Sequence, residues 1–80
     1  MARIAVDAMG GDFAPRAPIA GSLHALAVLS AEHEIELIGR SAVIEAELDA
    51  LLSGECASLA HLRSRLTVVD APDVLSLIHI

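Results

Sequence analysis

The stretch Asp7-Ala-Met-Gly-Gly-Asp-Phe-Ala-Pro15 gathers the residue types in this chain best suited to chemistry. Two adjacent glycines, Gly10 and Gly11, let a backbone approach a ligand closely and turn N–H groups towards an anion. Asp7 and Asp12 flank them, placed either to orient a polar ligand or to fix the loop itself. A helix starting just beyond would add its positive end, which makes phosphate a reasonable guest. The pattern is neither GxGxxG nor a P-loop, since no Gly-Lys-Ser/Thr follows. Gly-Gly-Asp also serves ordinary turns. The residues alone leave a binding loop and a structural turn both open.

The other polar residues carry less. His24 lies in an apolar stretch and reads as a packed or interface histidine, while His33 and His61 read as exposed residues near element ends. Cys56 follows a helix end with no motif around it and reads as inert. A single cysteine excludes an internal disulfide framework and any Cys-rich zinc site. Glu45, Glu47 and Asp49 read as a solvated helix face. Arg63 and Arg65 read as charges at a strand entry, with a partner-facing role as the other option. Asp70 and Asp73 bracket Pro72 in a turn. No metal site is expected.

Alternating strands and helices must position these groups. Arg3-Ile-Ala-Val-Asp7 is a short β-branched run that predicts a first strand buried on both faces. A helix is expected over 16–31, with Ile19, Leu23, Leu26 and Ser30 at helical spacing. Alanines and Val28 fill its other faces, which predicts burial on more than one side. Residues 34–38 predict a second strand, closed by Gly39. Ser41 is the expected N-cap of a second helix, with Glu45 and Glu47 near its positive end. Ile44, Leu48, Leu51 and Leu52 form its apolar stripe, and Gly54 is expected to stop it at the C′ position. Residues 55–64 predict a further helical turn or two through Leu59 and Leu62, and 65–69 a third strand. This is half of a doubly wound, mostly parallel α/β sheet, which needs helices on both faces and leaves an edge unpaired. Ligands in such sheets bind outside the carboxyl ends of the strands, here the loops at 7–15, 39–41 and 70–74.

The chain has 80 residues, five arginines, no lysine and eleven acids, for a formal net charge of −6. One domain at most, or part of one, fits that length. A chain this short buries only about 60–65% of its unfolded surface, so its stability is marginal. The charge and the near absence of aromatics, Phe13 alone, argue against a nucleic-acid binder. With 55% hydrophobic residues it is no disordered tail either. The apolar region 19–29 falls short of a membrane span, and the start does not read as a secretory signal. A cytoplasmic protein is the expectation.

Ile4-Ala-Val-Asp-Ala-Met-Gly-Gly-Asp-Phe-Ala-Pro15 resembles the N-terminal signature of the bacterial phosphate acyltransferases of phospholipid synthesis. The resemblance continues through the acidic second helix to Leu66-Thr-Val-Val-Asp-Ala-Pro-Asp-Val74. It implies the isocitrate/isopropylmalate dehydrogenase-like architecture, shared with phosphotransacetylases. It implies transfer of a fatty acyl group from acyl carrier protein to inorganic phosphate, giving acyl phosphate for the next acyltransferase. It also implies a homodimer, cytoplasmic and loosely associated with the inner membrane face, without a dedicated cofactor. On that reading Asp7, Gly10, Gly11 and Asp12 are cleft residues for phosphate or the developing oxyanion, and no catalytic base is assigned. Basic segments that would hold phosphate and the acidic carrier have no counterpart here.

After Val74 the chain departs from that family's pattern. Leu75-Ser-Leu-Ile-His-Ile80 matches the translation of a transposon end used in sequencing-library adapters. Residues 1–74 are therefore expected to be the opening part of a larger α/β domain, inactive alone, and 75–80 an adapter-derived tail. The net charge then describes a fragment, and its exclusion of anionic partners for a whole enzyme does not hold. The alternative function is a free-standing small α/β module that binds a phosphorylated ligand through residues 8–13. A dehydrogenase-like oxidoreductase is disfavoured by the missing dinucleotide fingerprint.

Overall fold

In the computed structural model, which describes residues 2–71, strands and helices alternate along the chain. The elements are β1 (Arg3–Asp7), α1 (Arg16–Val28), β2 (Glu34–Gly39), α2 (Ser41–Ser53) and β3 (Leu66–Asp70), with a 3-10 segment at Ala57–Arg65 before β3. The strands form one parallel sheet in the order β1-β2-β3. Parallel neighbours need crossover connections, and the two helices supply them. The α/β class and the β-α-β-α-β order are as expected from the sequence.

Register decides which side chains share a face. Ile4, Ile35 and Leu66 lie in one row across the sheet, and Val6, Leu37 and Val68 in another. Side chains alternate along a strand, so both rows point the same way. The helices contact each other as well as the sheet, which places them together over this face. Ile19, Leu23 and Leu26 of α1 meet Ile44, Leu48 and Leu51 of α2 above Ile35 and Leu37. Each helical set repeats at i, i+4 and i+7, the spacing of one helix face. Cys56, Leu62 and Leu66 close the core at one end and Ala8 at the other.

Two burial expectations are corrected. β1 is exposed along most of its length, because among the described residues it lies at the sheet edge with a single neighbour. α1 is buried on one side only, and its outer positions Ala17, Gly21, His24 and Val28 are exposed. The opposite sheet face carries Arg3, Glu34 and Glu36 rather than a second helix layer. Arg3 pairs there with Glu34 at 3.6 Å and Glu36 at 3.8 Å.

Helix ends also differ from the sequence reading. α1 stops at Val28 instead of 31, and Leu29 turns to extended backbone. The Arg65 guanidinium explains the early stop. It donates to the carbonyl oxygens of Leu26 at 3.2 Å, Ser30 at 2.6 Å and His33 at 2.9 Å, holding the turn between α1 and β2. At α2, Arg40 is the N-cap in place of Ser41, and no side chain of the cap itself bonds a helix N–H. The Ser41 N–H donates instead to Asp70 Oδ1 at 3.1 Å, at the end of β3. Gly54 is the C-cap with φ −127°, so the left-handed C′ arrangement does not form. β3 begins at Leu66, one residue later than expected, since Arg65 is held in the 3-10 segment. The helical reading of 55–64 stands, with Leu62 buried.

Candidate functional site at the carboxyl edge of the sheet

Asp7 builds the loop that follows it. Its Oδ1 accepts the Met9 N–H at 2.9 Å, and its carbonyl oxygen accepts the Gly10 N–H at 3.4 Å. A carboxylate bonding the backbone two residues on is an Asx turn, which a short acid at a strand end favours. Asp7 thus serves the loop-fixing role that the sequence left open. A Cβ on Gly10 would lie 3.2 Å from Asp7 Oδ2, a tight fit against the same carboxylate. Gly11 differs: it has φ +89° and open space where a side chain would go. Backbone conformation, not crowding, calls for glycine there. Asp12 and Phe13 follow on the surface, Phe13 79% exposed.

The three strand ends meet beside this loop. The Ala8 N–H donates to Ile38 O at 2.9 Å, tying the loop base to β2. Met9 lies over Gly39, where an added Cβ would come within 2.5 Å of Met9 Cγ. On the other side the Ala71 N–H donates to Gly39 O at 2.7 Å, and Asp70 holds Ser41. The 7–15, 39–41 and 70–71 segments therefore share one edge of the sheet. Gly11 and Asp12 form the exposed rim, Gly10 is half-buried beside them, and Asp7 lies at the base of their loop.

The start of α1 adds less to an anion site than a helix start ordinarily does. Its first turn has up to four N–H groups without a partner within the helix. Here Pro15 and Pro18 have no N–H, and that of Ala17 donates to Phe13 O at 3.0 Å. Only the Arg16 N–H is left at that turn. Donors for an anion at this edge come mainly from the glycine loop at Gly11 and beyond, since Asp7 takes the Met9 and Gly10 N–H groups.

A shallow groove of about 430 Å³ runs from Pro15 along α2, lined by Ala42, Val43, Ala46, Glu47 and Ala50. Glu47 there pairs with Arg16 at 3.6 Å, and Glu45 accepts from Arg63 at 3.1 Å, so the acidic face of α2 is partly tied to cations rather than simply solvated. His24 is exposed instead of packed, and His61 is exposed as expected. His33 is half-buried, and its Nδ1 accepts the Ala2 N–H at 3.1 Å. Cys56 is buried in the core, away from this edge. Asp73 and residues 75–80 lie outside the described residues. Sequence reasoning missed Met9 as the cover over Gly39, Arg40 at the head of α2, Asp70 as a cap, and Arg65 as a clamp. The first two had a signal in their positions beside glycines of the strand-end loops.

Comparison with known proteins adds the lineage. The chain is 38% identical over 74 residues to the phosphate acyltransferase of Pseudomonas fluorescens (strain Pf0-1), covering 92% of this chain and 20% of that protein. The phosphate acyltransferase of Salinibacter ruber is 39% identical over 75 residues, 94% of this chain and 20% of its own length. That of Streptococcus suis (strain 05ZYH33) is 43% identical over 72 residues, with 90% and 20% covered. The chain thus spans about a fifth of the length of the curated relatives it matches. No solved structure is significantly similar. A family described as fatty acid synthesis protein matches residues 2–78, a span that takes in the glycine loop, all three strands and both helices. On that match, the chain belongs to the fatty acid synthesis protein family.

Proposed function

We propose that this chain is the opening α/β segment of an acyltransferase that moves a fatty acyl group from acyl carrier protein to inorganic phosphate. The observation that carries the reading is the match to phosphate acyltransferases across the segment holding the Asp7–Asp12 loop. In this reaction a phosphate oxygen attacks the thioester carbonyl, the carbon–sulfur bond breaks, and the carrier leaves as a thiolate. Acyl phosphate is the product. The Gly11 N–H would hold the phosphate or the developing oxyanion, with the Gly10 N–H donated to Asp7 O to set the turn, Asp7 fixing the loop and Asp12 at its rim. No residue of the described segment is assigned to proton transfer. The reading includes the dehydrogenase-like architecture, a homodimer, and a cytoplasmic protein resting on the inner membrane face. No described helix is long and apolar enough to cross a membrane. A division at Val74, with 75–80 foreign to the gene, belongs to the same reading, and the nucleotides of codons 75–80 test it.

A chimera tests the function. Residues 1–71 of this chain replace the matching segment of the Pseudomonas fluorescens relative, and phosphate-dependent release of carrier thiol is measured. The expected result is activity in the folded chimera and its loss, by roughly tenfold or more, in Gly11→Val, which forces a β-branched residue into a left-handed conformation. A folded chimera without activity, beside an active parent, would overturn the proposal.

A further inference from the structure

Arg40 stands apart from the other arginines. Arg3, Arg16 and Arg63 pair with carboxylates, and Arg65 is taken up by three carbonyl oxygens. Among the described residues Arg40 has no side-chain hydrogen bond or ion pair, and it is exposed. The chain has no lysine, so Arg40 is the one uncommitted permanent cation among the described residues.

Its position also breaks two local rules. N-caps favour Ser, Thr, Asp and Asn, whose side chains bond the first helix N–H groups, and arginine cannot do so. The N-terminal end of a helix carries partial positive charge, which disfavours a cation. Asp70 supplies the cap bond from β3 by accepting the Ser41 N–H, but no contact offsets the cation itself. A local rule broken without such an offset points to a functional position. Arg40 follows Gly39, over which Met9 of the glycine loop lies, at the end of the central strand. The segments that carry Arg40 and the glycine loop therefore meet at one edge of the sheet.

We propose that Arg40 is an anion-recognition residue of this site, binding the phosphate oxygens beside the Gly10-Gly11 loop. The inference rests on the acyltransferase reading for the identity of the anion. A guanidinium presents paired N–H donors that match two phosphate oxygens at once. The glycine loop supplies backbone N–H groups, and Arg40 supplies the full charge that the loop lacks.

The test is an NMR titration of the full 80-residue chain with inorganic phosphate at constant ionic strength, with Arg40→Asn alongside. Phosphate should shift the Arg40 side-chain and Ser41 amide signals. Arg40→Asn should weaken phosphate binding by roughly tenfold or more, the scale of a lost charge-assisted hydrogen bond. Its urea midpoint should stay level or rise, because asparagine is the better cap. Binding within twofold of the parent, or no phosphate response at Arg40, overturns the proposal. So does a response to phosphatidylglycerol vesicles without one to inorganic phosphate. Shifts at Gly10 and Gly11 that survive in Arg40→Asn would leave the loop reading standing while Arg40 fails. Shifts confined to Arg40 and Ser41 would do the reverse.

Discussion

At the residue scale, the glycines of the carboxyl edge do different work. Gly11 is required by its backbone conformation alone, Gly39 by its φ of +158° and by the side chain that lies over it. That difference is measurable. Gly39→Ala should destabilise the chain by about 1–3 kcal/mol in urea unfolding, the cost of overpacking a filled site. Met9→Ala in the same chain should recover part of that loss. The recovery is partial because Ile44 Cδ1 would also lie 3.2 Å from the new Cβ and the backbone at φ +158° disfavours any side chain. Additive losses in the double-mutant cycle would contradict the contact between Met9 and position 39. Asp7 and the two loop glycines were legible in the sequence because a strand ending in an acid before Gly-Gly has few structural solutions. Arg40 had only its place beside Gly39 to mark it, since an exposed arginine stands out only when every other cation has been matched to its partner.

At the element scale, the flanks of β3 secure both helices. Arg65 at its entry holds the C-terminal turn of α1, and Asp70 at its exit receives the first N–H of α2. Arg65→Ala should lower stability by about 2 kcal/mol, within the range for hydrogen bonds to a charged group. Arg65→Lys should restore only part of it, since an ammonium lacks the forked geometry that reaches three carbonyls. Asp70→Ala should cost about 1 kcal/mol, and Asp70→Asn less, because the amide oxygen still accepts the Ser41 N–H. Urea midpoints at low and high salt check both, the charged part fading with salt. The strands and helices themselves were readable from apolar spacing: β1 is bounded as expected, and the α2 stripe of Ile44, Leu48 and Leu51 is the buried one. Burial of β1 and the end of α1 were not readable. Apolarity says that a strand wants cover, while its place in the sheet order decides whether cover arrives. Helical spacing through Ser30 likewise cannot reveal an arginine 35 residues away that ends the helix.

At the scale of the whole molecule, the helices cover one sheet face and leave the other to mixed neighbours. Ile38 and Val69 adjoin there in register, beside the Arg3–Glu34–Glu36 charges. Among the described residues β1 and β3 each have one hydrogen-bonded neighbour, which leaves edge backbone groups open to pairing. The chain should therefore self-associate with rising concentration, and Val69→Lys should suppress that without loss of helix content. Sedimentation velocity across a concentration series checks it, and a strictly monomeric parent would contradict it. The Asp70–Ser41 link has a further consequence, one of timing. Synthesis runs from the N-terminus, and the acceptor lies 29 residues after the donor it satisfies. At roughly 5–20 residues per second, α2 waits about 1.5–6 s on the ribosome for its cap. Over that interval its apolar stripe and the Arg16–Glu47 pair hold it against α1 without the cap, so a nascent chain stalled before residue 70 should display both helices with frayed ends.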